Sequence, residues 1–356
     1  MKTLLFTMEY PPFQGGVASY YHNLEKNWPE ADSFKVLFKK YFPNPFQYLL
    51  YFKDLYQAVK TEKIDYILVG QVLPLGSVAY LFSLLFRKPY AVFLHGMDFP
   101  LAISSGKKKL LTKRILGRSK KIICANNYVA KLVRDFSPAL SPKVVVVNPG
   151  VGEALEVESK KVEELRQQYD LVDKKVIVTI GRLVKRKGVD MMLSVLEYIG
   201  KEKITDWRYV VLGSGPDEEY LKKICRDKGL DSFVIFVGAI SEEDKWAWLN
   251  LCDLFAMVSR NIAGDFEGFG IVYLEANLAG KAVLAGDSGG VSDAVSNGIN
   301  GLLADPNSED DIALSLVRLM ADKEFREALG EKGYLRAQTE FSWKVQAKKI
   351  HLEINS

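Results

Sequence analysis

Asp265 to Val295 reads DFEGFGIVYLEANLAGKAVLAGDSGGVSDAV, and its parts follow in the order of a ligand-holding loop, a helix, a strand and a second glycine loop. Gly268-Phe269-Gly270 comes directly after Glu267, and Ile271, Leu274, Leu278 and Ala279 then recur at helical spacing. A helix that starts at a glycine leaves its first N–H groups without intrahelical partners and carries the positive end of its dipole there. Such an end binds anions. Glu275 lies eight positions after Glu267, about two helical turns on, where its carboxylate can accept hydrogen bonds from a ligand's hydroxyls. A phosphate site and a diol acceptor in one stretch point to a nucleotide. Taken singly, Glu275 is an exposed helix glutamate and each glycine an ordinary turn; the spaced set carries the functional reading.

Glu267, Gly268-Phe269-Gly270, Leu274-Glu275-Ala276 and Gly289-Gly290 together resemble the donor-binding signature of the retaining glycosyltransferases of family 4. The resemblance implies an α/β chain of GT-B fold, with two Rossmann-like domains whose parallel sheets face an interdomain cleft. It implies further that Glu267 faces the donor sugar, that Glu275 binds the ribose hydroxyls of the nucleotide, and that the amides of Gly268, Phe269, Gly270 and Ile271 hold the diphosphate.

Upstream of this stretch, Lys175 to Ile180 reads as a strand running into Gly181-Arg182-Leu183-Val184-Lys185-Arg186-Lys187-Gly188. Cations at a strand's carboxyl edge neutralise a diphosphate and stabilise the charge that grows as it leaves. The family pattern, which includes Gly181, gives that role to Arg182 and Lys187. Lys185 and Arg186 are expected to be solvated, since four cations cannot all reach one pyrophosphate. Gly213-Ser214-Gly215-Pro216 follows the next strand and lacks the third glycine of a dinucleotide fingerprint; in the family this turn lies beside the nucleotide. After a strand at Phe233 to Gly238, the resemblance seats the base at Ala239-Ile240-Ser241-Glu242, with Glu242 able to accept from the N–H groups of guanine. Asp253 to Val258 is the strand that feeds the opening stretch, and Asn300-Gly301-Leu302-Leu303 is read as a turn.

The N-terminal half begins with a strand, Lys2 to Thr7, then a break at Pro11-Pro12 and a helix opened by Gly15 and Gly16. Strand, glycine loop and helix in that order form a phosphate-cradling turn, and the family's similar loop approaches the diphosphate and the acceptor. Ala91 to Leu94 is a strand that ends in His95-Gly96-Met97-Asp98. A histidine at the carboxyl end of a parallel strand stands where α/β sheets hold ligands, and the resemblance places His95 at the donor sugar or the reacting centre. Asp98 either orients the acceptor hydroxyl or caps the turn. The aromatic, basic run from Lys35 to Lys63, with Tyr41, Phe42, Phe46, Tyr48, Tyr51, Phe52 and Tyr56, suits an acceptor or membrane-facing lobe and equally suits buried packing.

At 356 residues, 48% of them hydrophobic, the chain is long enough for about two domains with substantial cores. The resemblance divides it into an acceptor-binding domain at 1–150, a nucleotide-sugar-binding domain at 151–335 and a C-terminal helix, 336–356, that crosses back. Three scattered cysteines and three histidines match no zinc spacing, and no Asp-rich metal motif occurs; neither metal nor cofactor is expected beyond the donor itself. The net charge of +4 hides an asymmetry, since residues 1–150 hold 21 Lys+Arg against 9 Asp+Glu. Lys107 to Lys121, with eight basic residues and no acidic one, reads as a basic amphipathic helix for an anionic membrane surface, or as a solvated helix whose apolar stripe packs on its own domain. No nucleic-acid motif appears. Leu4 to Met8 is too short for a signal-peptide core, and Tyr66 to Phe86, long enough to span a bilayer, is broken by Gln71, Pro74 and Gly76. A cytoplasmic protein, peripheral at the inner membrane face, is expected.

The resemblance thus implies a metal-independent, retaining transfer of a hexose-type sugar from a nucleotide-sugar to a glycan, lipid-linked or cell-envelope acceptor. A sugar-nucleotide epimerase of the same architecture and a non-catalytic nucleotide-sugar-binding protein are the alternatives.

Overall fold

The short apolar runs at Thr3, Tyr66, Tyr90 and Lys175 are strands of parallel sheets, covered on both faces and for that reason continuous rather than alternating in hydrophobicity. In the computed structural model, which describes residues 1–13, 15–40 and 46–356, the chain runs β1 (Thr3–Thr7), α1 (Gly16–Lys26), β2 (Phe34–Phe38), α2 (Gln47–Thr61), β3 (Tyr66–Val69), α3 (Ser77–Phe86), β4 (Tyr90–Leu94), α4 (Asp98–Ala102), α5 (Gly106–Arg118), β5 (Lys121–Cys124), α6 (Asn127–Phe136) and β6 (Val144–Val146). It continues with α7 (Ser159–Gln168), β7 (Lys175–Ile180), α8 (Val189–Ile199), β8 (Trp207–Leu212), α9 (Glu218–Asp227), β9 (Val234–Gly238), α10 (Glu242–Leu251), β10 (Leu254–Met257), α11 (Ile271–Leu278), β11 (Val283–Gly286), α12 (Val291–Ala294), β12 (Gly301–Ala304), α13 (Glu309–Ala321), α14 (Lys323–Glu340) and α15 (Trp343–Asn355). Two units result, Met1–Gly150 with Phe341–Ser356, and Val151–Glu340.

Each unit holds one six-stranded sheet, ordered β2-β1-β3-β4-β5-β6 and β12-β11-β10-β7-β8-β9, so the fold is α/β with two Rossmann-like halves. In the first sheet the step from β1 to β2 goes one way and every later step goes the other. Crossovers between parallel strands are right-handed, which puts α1 on one face and α2, α3 and α5 on the opposite one. The packing agrees. Tyr20, Tyr21 and Leu24 of α1 cluster with Leu5, Leu68, Ala91 and Phe93, whereas Phe6 meets Tyr51 of α2 at 6.2 Å between ring centroids and Tyr90 donates its hydroxyl to the Ile115 carbonyl of α5.

The α1 face is completed from the far end of the sequence. Trp343, Ala347, Ile350 and Ile354 of α15 join the cluster of Leu5 and Tyr20, and Gly150 lies so close to Trp343 that a Cβ there would come within 2.5 Å of the indole. The division anticipated between residues 335 and 336 falls inside α14, where Ala337 is buried and Arg336 donates to the Ala294 carbonyl at 2.6 Å; only Phe341–Ser356 joins the first unit.

Two stretches differ from their sequence reading. Phe34–Phe38 is an edge strand paired with β1; Lys35 to Phe38 were read only as the start of an aromatic, basic run, and Phe34 was not assigned. Gly301–Ala304, read as a turn, is the strand at the other sheet's edge, paired with β11. Of the aromatic run, Tyr51 is buried and Tyr48 and Tyr56 are exposed, while Tyr41 and Phe42 lie outside the described residues. Tyr66 to Phe86 divides into β3, a single π-helical turn at Val72–Gly76, and α3; among the described residues no helix is long and apolar enough to cross a membrane.

Because α15 supplies part of the first unit's core, Trp343→Ala is expected to destabilise that unit by about 3–5 kcal/mol, the usual cost of truncating a buried tryptophan. Denaturant unfolding followed by Trp28 fluorescence measures this, and a loss below about 1 kcal/mol would show that α15 merely rests on the surface.

Candidate functional site

In the second sheet the chain steps outward from β7 through β8 to β9, returns across β7 by way of α10, and then steps outward in the opposite direction through β10, β11 and β12. The strand order therefore reverses between β7 and β10, which pair directly. Loops leaving the carboxyl ends of such neighbours part to form a crevice, the usual ligand position of open α/β sheets. The loop after β7 carries Gly181, Arg182, Arg186 and Lys187; the loop after β10 carries Glu267.

The two loops are tied by charge. Arg186 Nη1 stands 2.5 Å and Lys187 Nζ 2.7 Å from Glu267 Oε2, and Ser259 Oγ lies 3.4 Å from the same oxygen. Only 12% of the Glu267 side chain is exposed. Burial pushes its carboxyl up, but Lys187 and Arg186 outweigh that and hold it below the ordinary 4.5, so it is ionised at neutral pH. The expectation that Arg186 is solvated is thereby corrected. Glu267 and Asp265, whose Oδ1 is 3.2 Å from Arg186 Nε, face it from the other loop and turn its guanidinium inward. Lys185 is the solvated one, with its ammonium 5.8 Å from the Tyr220 ring centre. Behind the cluster, Arg260 Nη2 pairs with Asp190 Oδ2 at 2.5 Å while its amide donates to the Arg186 carbonyl at 2.9 Å.

Gly268, Phe269, Gly270 and Ile271 make the turn into α11. Gly270 is left-handed at φ 79°, and a Cβ on it would stand 2.4 Å from the Tyr273 ring, so the helix can start here only on glycine. Tyr273 in turn donates to the Met257 carbonyl at 2.5 Å, pinning α11 to the end of β10. Since α11 begins at Ile271, Glu275 sits one turn into the helix, and the segment from Glu267 to Gly270 is loop rather than the first of two turns.

Alongside, Gly181, Arg182, Gly213, Ile240, Glu242 and Lys245 help to line a cavity of ≈ 490 Å³. Gly213 is required where β7 and β8 end together, because a Cβ at its φ of 128° would lie 2.0 Å from the Gly181 carbonyl oxygen. Arg182 is exposed at the cavity wall. Lys245, which the sequence reading missed, joins two residues it had kept apart: its Nζ is 2.6 Å from Glu275 Oε1 and also pairs with Glu242. Burial pushes the Glu275 carboxyl up, against the pull of Lys245. The i, i+3 spacing of Glu242 and Lys245 on α10 was the available signal; nothing local announced Glu275 as a third member.

Gly15, Gly16 and His95 belong to the first unit. Gly15 caps α1, Gly16 is its first residue, and a Cβ on Gly16 would meet nothing within 4 Å. His95 Nε2 is 2.7 Å from the Tyr21 hydroxyl oxygen, which is itself 2.7 Å from the Gly70 carbonyl. Tyr21 has one proton, and the carbonyl can only accept it, so Nε2 of His95 carries the hydrogen that Tyr21 receives and Nδ1 is left as an acceptor. Burial lowers the His95 pKa to about 4, which keeps the imidazole neutral at neutral pH. Asp98 caps the turn: its Oδ1 accepts the N–H groups of His95 at 3.0 Å and Gly96 at 2.7 Å, and burial raises its carboxyl to about 6.

Arg186→Gln leaves Glu267 with one cation. The expected cost is about 1–3 kcal/mol of stability in the second unit, and Lys185→Gln is expected to change stability by less than about 0.5 kcal/mol. A carboxyl held below its ordinary value stabilises the fold above that value and ceases to do so as pH falls through the lowered one. Acid unfolding of Arg186→Gln is therefore expected to begin at a higher pH than that of the wild type. Urea midpoints measured from pH 7 to pH 3 test this, and superimposable acid transitions would show that Arg186 contributes nothing to the carboxylate.

Residues 12–154 match the family model described as Glycosyltransferase Family 4, and residues 161–336 match that described as Glycosyl transferases group 1. The chain is 27% identical to a GDP-mannose-dependent alpha-(1-6)-phosphatidylinositol monomannoside mannosyltransferase of Mycobacterium tuberculosis, with 98% of this chain and 97% of the relative covered. It is 26% identical to a GDP-mannose-dependent monoacylated alpha-(1-6)-phosphatidylinositol monomannoside mannosyltransferase of Corynebacterium glutamicum, over 98% of this chain and 96% of that one. Among solved structures, HepE of Anabaena in complex with UDP superposes over the whole of both chains with a TM-score of 0.81 at 20% identity, and the lipopolysaccharide glycosyltransferase WaaG superposes with a TM-score of 0.68 at 16% identity, over 99% of this chain and 100% of WaaG. These likenesses show the GT-B fold, and with both halves matched by family models the chain belongs to glycosyltransferase family 4.

Proposed function

We propose that this glycosyltransferase moves a mannose-type hexose from a GDP-sugar to a lipid-borne glycan of the cell envelope, retaining the anomeric configuration and needing no metal ion. The observation that carries the donor reading is the cavity whose polar wall joins Glu242 to Glu275 through Lys245. A carboxylate suits the N–H edge of guanine, an ammonium suits its carbonyl oxygen, and a carboxylate one turn into α11 suits a pair of ribose hydroxyls. Both full-length relatives named above are GDP-mannose-dependent and act on phosphatidylinositol mannosides, which supports the choice of sugar and acceptor. The basic helix α5 suits an anionic membrane surface holding such an acceptor.

In this reading Arg182, Lys187 and the amides from Gly268 to Ile271 stabilise the departing diphosphate, Glu267 faces the donor sugar, and neutral His95 offers Nδ1 as an acceptor to a sugar hydroxyl. The acceptor's proton passes to the leaving diphosphate as the new glycosidic bond forms on the face the diphosphate vacates. Two cations and a helix N-terminus stand in for a metal ion.

A thermal-shift series with GDP, UDP, ADP and dTDP, without added metal, tests the donor class. GDP at about a hundredfold excess over its Kd is expected to raise the melting temperature of the second unit by roughly 5–10 °C, and Glu275→Ala to abolish most of the shift. A larger shift with UDP would overturn the guanine reading. No shift with any nucleotide would count against the transferase itself, and release of an altered free sugar-nucleotide without acceptor would favour an epimerase.

A further inference from the structure

The strand order of the first sheet reverses between β1 and β3, which pair directly, so the ligand position of this sheet is at their carboxyl ends. One hydroxyl ties the strand ends there. Tyr21, fully buried on α1, places its Oη 2.7 Å from the carbonyl oxygen of Gly70, which follows β3, and 2.7 Å from Nε2 of His95, which follows β4. Gly70 makes the approach possible, because a Cβ there would stand 3.1 Å from that Oη and 2.7 Å from Thr7 Oγ1 at the end of β1. Burial pushes the Tyr21 hydroxyl well above its ordinary range. It therefore keeps its single proton and donates it to the Gly70 carbonyl.

The imidazole is clamped against this hydroxyl. Tyr20 meets it edge-on at 4.8 Å between ring centroids, Phe93 stacks on it at 5.8 Å and 12°, and Asp98 accepts the His95 amide. Nε2 is thus the protonated nitrogen. Nδ1 has no partner among the described residues and is left open to solvent, where it can only accept. We propose that Tyr21 is a specificity-setting positioning residue: by fixing His95 through its hydroxyl, it commits Nδ1 to one hydrogen-donating hydroxyl of the transferred sugar, and a sugar without that hydroxyl is rejected. Without the Tyr21 hydroxyl, Nε2–H would be buried with no acceptor, a cost the ring escapes by moving its proton to Nδ1. The acceptor would then be lost. The inference rests on the reading that puts His95 at the donor sugar, and adds to it a residue that acts through His95.

Nitrogen-15 NMR of the full chain, labelled at its three histidines, reads the tautomer without any substrate. The wild type is expected to show His95 with Nε2 protonated and Nδ1 bare, and Tyr21→Phe to show the proton shifted toward Nδ1. Calorimetry with GDP-mannose and its monodeoxy and deoxyfluoro forms reads the consequence. Fluorine cannot donate, so at one position of the sugar hydrogen and fluorine are expected to cost the wild type alike, about three- to tenfold in Kd. In Tyr21→Phe that penalty is expected to fall to about twofold or less, with GDP itself bound as by the wild type. A protonated Nδ1 in the wild type would overturn the proposal, as would a Tyr21→Phe variant that weakens every donor by the same factor, the mark of a merely structural role. So would a wild type whose penalty falls at no particular position. Failure of the transferase reading looks different, since neither protein would then bind GDP or any other nucleotide.

Discussion

Everything at the second unit's crevice depends on one buried carboxylate. Glu267 is nearly out of solvent, and an ionised carboxylate there is tolerable only with cations against it. Arg186 and Lys187 supply them from a loop some eighty residues earlier in the sequence, at 2.5 Å and 2.7 Å. The pairing therefore does two things at once: it lets Glu267 stay charged, and it fixes the loop after β7 against the loop after β10. The Arg260–Asp190 pair behind it and the Gly290 amide donating to the Glu267 carbonyl hold both loops from the rear.

From that constraint the rest of the crevice follows. With the loop after β10 fixed, Gly270 turns the chain into α11. Glu275, one turn later, comes within reach of Lys245 on α10, so that the wall of the cavity beyond β8 and β9 and the start of α11 share a single charge network. The sheet order makes this possible, because α10 crosses back over β7 to reach β10. Glu267 thus stands paired with both Arg186 and Lys187, and in the proposed reading a diphosphate that enters competes with it for Lys187.

Much of this was legible in the sequence, and the boundary between the legible and the rest is physical. Buried parallel strands are short uninterrupted apolar runs, so most of them could be read, as could the glycines of the 268–270 turn, whose spacing reflects local backbone geometry. Arg186 could not be placed: its inward orientation is decided by carboxylates at positions 265 and 267, and the run of four cations offers no local means of telling which one turns in. Lys245 was half legible, from its spacing to Glu242 but not from Glu275. Phe34–Phe38 and Gly301–Ala304 escaped for local reasons, since the equally marginal edge strand Val234–Gly238 was read: the first runs straight into an aromatic, basic segment, and the second begins at an Asn300-Gly301 pair that reads as a turn.

The central proposal is that Lys187 is shared between Glu267 and the donor's diphosphate, while Glu267 itself serves the sugar. Titration calorimetry of GDP against the wild type and Glu267→Gln, alongside transfer assays of both, tests it most directly. The account predicts that Glu267→Gln, with its cations released, binds GDP about three- to tenfold more tightly while transfer falls by about a hundredfold or more. Weaker GDP binding with transfer intact would contradict it, and would make Glu267 a strut for the loops with no part in the chemistry.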